Sequence, residues 1–97
     1  MSEAKQARRY LVSGIVQGVG YRYFAQDAAE KLRVSGFVRN RRDGRVEVFA
    51  MCTPQQHAEF RAHLQRGPRF ASVSAVQEEL STPDPRYEGG FFIIPTD

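Results

Sequence analysis

Residues 8–32, RRYLVSGIVQGVGYRYFAQDAAEKL, change their period part-way, and that change decides the fold. Over Arg8–Val16, the residues Tyr10, Val12, Gly14 and Val16 fall on one side of a two-residue repeat, the pattern of a half-buried strand. Gln17-Gly18-Val19-Gly20 breaks the repeat with two glycines and reads as a loop. From Tyr21 to Leu32 the apolar positions Tyr21, Phe24, Ala25, Ala28 and Leu32 return at helical spacing, with Gln26, Asp27, Glu30 and Lys31 on the wet side. A strand, a glycine loop and an amphipathic helix therefore follow one another without a break.

Downstream, Val34–Asn40 and Arg45–Cys52 read as a second and third strand. Asp43-Gly44 between them predicts a type I′ hairpin turn, because that turn wants positive φ at both central positions. Thr53 suits a helix N-cap, Pro54 the first helical position, and Gln56 completes a capping-box pattern. This second helix runs to about Gln65 with Phe60 and Leu64 inward, and Gly67-Pro68 ends it. Ser72–Leu80 reads as a fourth strand, and Phe91–Ile94 as a short final edge strand after a Pro-rich stretch and Gly89-Gly90. The order βαββαβ plus a short strand predicts an α+β, ferredoxin-like split βαβ sandwich, an antiparallel sheet with two helices on one face. Residues 1–7 are polar and aperiodic and are expected to form a flexible tail, leaving one domain over 8–97.

Composition sets the outer limits. Val, Ile, Leu and Phe make up 23 of 97 residues, enough for a modest core and too many for a disordered chain. The length excludes a dinucleotide-binding α/β fold and a TIM barrel. A net charge of +3 suits anionic ligands but is too small to argue for nucleic acid. No apolar run has the length of a membrane span, and MSEAKQARRY lacks the apolar centre of a signal peptide. Cys52, the single cysteine, makes no internal disulfide, which points to a reducing compartment, the cytoplasm.

The glycine loop is where chemistry can sit. The first amides of a helix lack internal partners, and the helix dipole puts partial positive charge there. A loop from Gln17 to Tyr21 can curl its N–H groups around a tetrahedral anion, and Arg22, in the first helical turn, can add a two-pronged bond to phosphate. Two such glycines also serve as a mere tight connection, and an arginine near a helix start as a solvated surface residue; the residues alone leave both readings open. Asn40 ends the second strand among Arg39, Arg41 and Arg42. Its amide both donates and accepts, so it can hold a water, or it can simply begin the hairpin. No Gly-Lys-Ser/Thr follows the loop, which argues against nucleoside triphosphate binding.

Together Gly14-Ile15-Val16-Gln17-Gly18-Val19-Gly20-Tyr21-Arg22, Ser35-Gly36-Phe37-Val38-Arg39-Asn40 and Asp43-Gly44-Arg45-Val46-Glu47 resemble the acylphosphatase family, over nearly the whole chain from about Arg8 to Ile94. The resemblance implies a metal-free, cofactor-free acylphosphate phosphohydrolase that splits a small-molecule carboxyl-phosphate anhydride into a carboxylate and inorganic phosphate. The family's phosphate-binding arginine falls on Arg22, its water-positioning asparagine on Asn40, and its backbone cradle on Gln17, Gly18, Val19, Gly20, Tyr21 and Arg22. Tyr21 stands where many members carry Phe, with little effect expected. Ile94-Pro95-Thr96-Asp97 departs from the family's more strand-like ending.

The remaining reactive side chains are expected to be bystanders. His57 and His63 lie six residues apart, on different faces of the second helix, and read as surface residues rather than metal ligands. Cys52 reads as a small, partly buried side chain, and Ser13 has no nucleophile-elbow pattern. From another class, an RNA-binding module shares the βαββαβ order, with Gly36-Phe37-Val38 and the neighbouring arginines in its favour. Against it, that module's aromatic signature belongs on the third strand, where only Phe49 is available to stack a base. Acylphosphatase-like modules also stand at the front of larger maturation proteins; the start at Met1 favours a free-standing chain, and its size a monomer.

Overall fold

The computed structural model describes residues 4–97, and its elements follow the order that the periodicities predict. They are β1 (Gln6–Ile15), α1 (Tyr21–Leu32), β2 (Ser35–Asn40), β3 (Val46–Cys52), α2 (Pro54–Arg66), β4 (Ser72–Ser81) and β5 (Phe91–Ile93), with a single 3₁₀ turn at Pro85–Tyr87. The sheet order is β4-β1-β3-β2-β5. Both helices pack on one face, the ferredoxin-like arrangement. The first four strands pair antiparallel, but β5 lies parallel to β2, so the sheet is mixed rather than antiparallel throughout. The reason is the route of the chain. It leaves β4 at one edge, crosses the end of the sheet through residues 82–90, and re-enters beside β2 running the same way.

Tyr10, Val12, Val38 and Val48 are fully buried beneath Tyr21, Ala25, Phe60 and Leu64. Burying Phe60 or Leu64 contributes roughly 1.5–3 kcal/mol each. Central β3 is buried along its whole length because both sheet faces are covered there. Val46, Val48, Ala50 and Cys52 meet the helices, while Phe49 and Met51 join Ala7 in a second cluster capped by Tyr87. Gln6 and Ala7, assigned to the tail by composition, thus belong to β1, and Ala7 is buried; residues 1–3 of that tail lie outside the described residues.

Three local departures have physical causes. Gly14 does not face inward with Tyr10 and Val12: the register against β4 slips between Ser13 and Gly14, a bulge that turns Gly14 out and returns Val16 to the core. Its φ is 122°, and a Cβ would come 2.1 Å from the Ser72 carbonyl oxygen, so only glycine fits. Secondly, the hairpin is not type I′. Gly44 N–H donates to Arg41 O at 3.1 Å, which makes Arg42 and Asp43 the corner residues. Only Gly44, next in line, has positive φ (94°), the geometry of a type I turn followed by a bulge.

Thirdly, His57 is not a surface residue; it is fully buried. Its Nδ1 lies 2.7 Å from the Tyr10 hydroxyl and its Nε2 2.8 Å from Gln6 O, so both ring nitrogens are satisfied away from water. Burial lowers its pKa and keeps the ring neutral. Cys52, expected partly buried, is wholly so, and burial pushes its thiol up to about 12. The second helix starts as its sequence dictates: Thr53 Oγ1 accepts from Gln56 N–H at 3.2 Å and Gln56 Oε1 from Thr53 N–H at 2.8 Å.

Candidate active site

Two glycines shape the loop between β1 and α1. Gly18 and Gly20 have φ of 75° and 79°, and neither is crowded: a Cβ at either would meet nothing within 4 Å. Glycine is needed here for the left-handed backbone, not for space. Gly20 caps α1 without a side-chain bond, and the first helical hydrogen bond is Phe24 N–H to Gly20 O at 3.1 Å. Among the described residues, no protein acceptor takes the amides from Val19 to Tyr23. The first turn of α1 carries no acidic side chain. Positive helix-end potential and free donors thus remain available to an anion.

The loop is anchored at both ends. Gln17 Nε2 donates to Arg41 O at 2.8 Å and to Arg45 O at 2.9 Å, reaching both arms of the β2–β3 hairpin. Tyr21, fully buried, donates its hydroxyl to Leu64 O at 2.7 Å and so ties the head of α1 to α2. Burial raises the Tyr21 phenol well above its ordinary pKa, so it stays a donor.

Topology then brings Arg22 and Asn40 to the same end of the molecule. A link of only two residues, Arg33 and Val34, joins α1 to β2, so β2 runs back along the helix and ends, at Asn40, beside the helix start. Arg22 lies about 100° round the helix from buried Tyr21. Gln26, roughly one turn on and on the same side, bonds the Phe91 carbonyl of β5 at 3.0 Å, which marks that side as the one facing β2 and β5. Arg22 is half-buried and no carboxylate among the described residues pairs with it. In β2, Val38 faces the helices, so Asn40, two residues on, shares its side. The Asn40 Oδ1 is buried without a hydrogen-bond partner. A buried acceptor left open in this way is costly, and it stands at the end of β2, beside the start of α1.

The family model described as acylphosphatase matches residues 8–93, which includes the loop, Arg22 and Asn40. The chain belongs to the acylphosphatase family. It is 46% identical over 84 residues to an acylphosphatase of Koribacter versatilis, covering 87% of this chain and 76% of that one. Among solved structures it is similar to the acylphosphatase of Bacillus subtilis, with TM-score 0.84, 35% identity, and 91% and 97% of the two chains covered. It is also similar to an acylphosphatase from Coxiella burnetii, with TM-score 0.87, 30% identity and 94% of each chain covered. As an acylphosphatase, the protein is a hydrolase.

Three side-chain contacts around the candidate site escape a reading of the sequence, although two of the residues, Gln17 and Tyr21, are named there as part of the loop. The Gln17 amide clasps the hairpin, the Tyr21 hydroxyl is not idle, and Asp97 reaches the same hairpin, with Oδ1 accepting from Arg42 N–H at 3.2 Å. Each contact joins residues far apart in the chain, and no local pattern announces it.

Proposed function

We propose that the acylphosphatase works through Arg22 and Asn40, with the amides of the Gln17–Arg22 loop as a phosphate cradle and no metal or cofactor. The carboxylate of a carboxyl-phosphate anhydride is a good leaving group, so positioning and charge stabilisation supply most of what the protein must add. The guanidinium of Arg22 and the main-chain donors bind the phosphoryl oxygens and follow the negative charge that gathers there. Asn40 accepts a hydrogen bond from a water through Oδ1 and aims its lone pair at phosphorus, opposite the bond to the acyl oxygen. The new P–O bond forms as the old one breaks; the bonding pair leaves with the carboxylate, and the proton of the water goes to a phosphoryl oxygen. Asn40 has no basic group at neutral pH, so its part is geometric.

The observation that carries this reading is the buried, unpartnered Asn40 Oδ1 at the sheet end where the loop is clasped to the hairpin by Gln17. Substitution separates the two roles. Arg22→Ala is expected to abolish competitive inhibition by inorganic phosphate together with most turnover of benzoyl phosphate. Asn40→Ala is expected to lose turnover while phosphate still inhibits. Phosphate affinity retained in Arg22→Ala, or turnover retained in Asn40→Ala, contradicts the assignment.

The finer reading is of a cytoplasmic monomer acting on a small molecule, without a nucleic-acid or membrane partner. A buried, unpaired Cys52 suits a reducing compartment. On the sheet face away from the helices, Phe37 and Phe49 stack at 5.4 Å, and Tyr87 covers them with its centroid 4.9 Å from Phe37. A base seeking that platform meets an occupied surface. No helix among the described residues is long and apolar enough to cross a membrane. Size-exclusion chromatography with light scattering tests the monomer, and a salt-dependent titration with single-stranded RNA tests the partner.

A further inference from the structure

Among the described residues, no hydrogen bond from another group holds the Asn40 carboxamide: its Oδ1 is buried and open, and its Nδ2 has no acceptor. The direction of the side chain is therefore set by the backbone that carries it. That backbone is held from an unexpected quarter. Beyond β5 the chain continues along β2, with Ile94 N–H donating to Val38 O at 3.0 Å and Asp97 N–H to Asn40 O at 3.4 Å. Pro95, which has no N–H, ends regular pairing in between.

The Asp97 carboxylate then grips the two residues that follow Asn40. Its Oδ1 accepts from Arg42 N–H at 3.2 Å, and its Oδ2 lies 3.6 Å from Arg41 Nη1. The same Nη1 lies 3.4 Å from Oε1 of Glu47, whose side chain is only 3% exposed and which also takes Arg39 Nε at 2.7 Å. The Arg41 guanidinium is thus strung between a buried carboxylate on β3 and Asp97. The Arg41 main chain is engaged too, N–H to Arg45 O at 2.8 Å, with its carbonyl taken by Gln17 and Gly44. Asp97 holds Asn40 from one side while Gln17 holds the adjoining peptide from the loop side.

We propose that Asp97 is a positioning residue for hydrolysis, fixing the end of β2 through Arg41, Arg42 and its own N–H so that Asn40 Oδ1 points at the attacking water. The proposal rests on Asn40 being the residue that orients that water. It gives the segment beyond β5, Ile94–Asp97, a part in catalysis. Because the Arg41–Asp97 pair is partly exposed, it contributes little to overall stability. Its effect is on geometry, and small misplacements of a positioning group are expensive in rate, up to ~100-fold for about 1 Å.

The test is Asp97→Ala and Asp97→Asn in the full chain, measuring kcat and KM for benzoyl phosphate, competitive inhibition by inorganic phosphate, and thermal melting. Asp97→Ala is expected to lower kcat about tenfold, while KM and the phosphate inhibition constant stay within about twofold, since the cradle is untouched. Asp97→Asn, which keeps an acceptor for Arg42 N–H, should recover part of the rate. In an Asn40→Ala background, Asp97→Ala should cost nothing further, as expected for groups acting through one another. An unchanged kcat in Asp97→Ala overturns the proposal, as does a fall in kcat matched by an equal weakening of phosphate inhibition or persisting undiminished without Asn40. Parental turnover in Asn40→Ala sinks the role of Asn40 itself. A slow Asn40→Ala beside a fast Asp97→Ala sinks only the role of Asp97.

Discussion

Replacing Gln17 by methionine removes one donor group and keeps the length of the side chain. The structure says what that removes: two hydrogen bonds, at 2.8 and 2.9 Å, from Nε2 to Arg41 O and Arg45 O. Neither carbonyl is left bare. Arg41 O still accepts from Gly44 N–H at 3.1 Å, and Arg45 O from Arg41 N–H at 2.8 Å. The cost is therefore that of the bonds themselves, about 0.5–1.5 kcal/mol each, without the further penalty of a stranded acceptor. A total of about 1–3 kcal/mol corresponds in a domain of this size to a fall in Tm of roughly 5–20 °C. Turnover should fall further than stability, because the loop that carries the cradle and the hairpin that carries Asn40 lose their direct tie; a drop in kcat/KM of roughly 10- to 100-fold is expected for benzoyl phosphate. Thermal melting and steady-state kinetics on the same preparation decide it. A Gln17→Met protein that melts with the parent and turns over at its rate would show that the clasp does not hold the site in register.

Other substitutions and conditions probe separate parts of the argument. Gly18→Ala meets open space at φ 75° and should cost only the left-handed penalty, ~1–2 kcal/mol. Gly36→Ala would put a Cβ 1.8 Å from the Phe49 carbonyl oxygen and should yield no folded protein; similar melting temperatures for the two variants would refute the distinction. Because burial lowers the His57 pKa, the unfolded chain takes up a proton below about pH 6.5 that the fold excludes. Stability should thus decline as the pH falls below about 6.5, by up to ~1.4 kcal/mol per pH unit, and level off once the pH is below the folded pKa. Urea midpoints across that range should be flatter in His57→Gln, and an identical slope would remove His57 as the cause. If hydrolysis proceeds as proposed, through Arg22, Asn40 and the loop amides alone, turnover should be indifferent to EDTA; a loss restored by added metal would overturn the metal-free mechanism.

The elements could be read from the sequence because each is stabilised by what repeats along it. The shift from a two-residue to a helical period at Gln17–Gly20, and the Thr53–Gln56 box, are local signals, and the structure keeps both. The register slip at Gly14 was hidden because a bulge violates the alternation used to find the strand. His57 reads as a surface residue when judged by its six-residue spacing from His63, yet it shares a helical stripe with Phe60 and Leu64, and the ring is buried because Tyr10 and Gln6 satisfy it. In the candidate site, the loop and Arg22 offer an anion-binding pattern or a plain connection, and local sequence does not choose between them. The nearness of Asn40 follows from β2 running back along α1, which the element order already implies, whereas a role for its carboxamide comes only from the resemblance. The Gln17 clasp and the Asp97 grip are contacts between distant segments, with no periodicity behind them.

The sheet order has a consequence for biosynthesis. β1, made first, lies between β3 and β4, and its pairing with β4 joins Ala7 to Ser81 across most of the chain. Pairings of such long span form slowly, because the intervening loop must be closed before any contact rewards it. A nascent chain that has delivered the hairpin bearing Asn40 already contains Arg22 and the glycine loop, yet β1 still has one edge unpaired. Catalytic competence should therefore arrive late, only after β4 has been made and has paired with β1. Until then the uncovered edge of β1 is what a chaperone would have to shield.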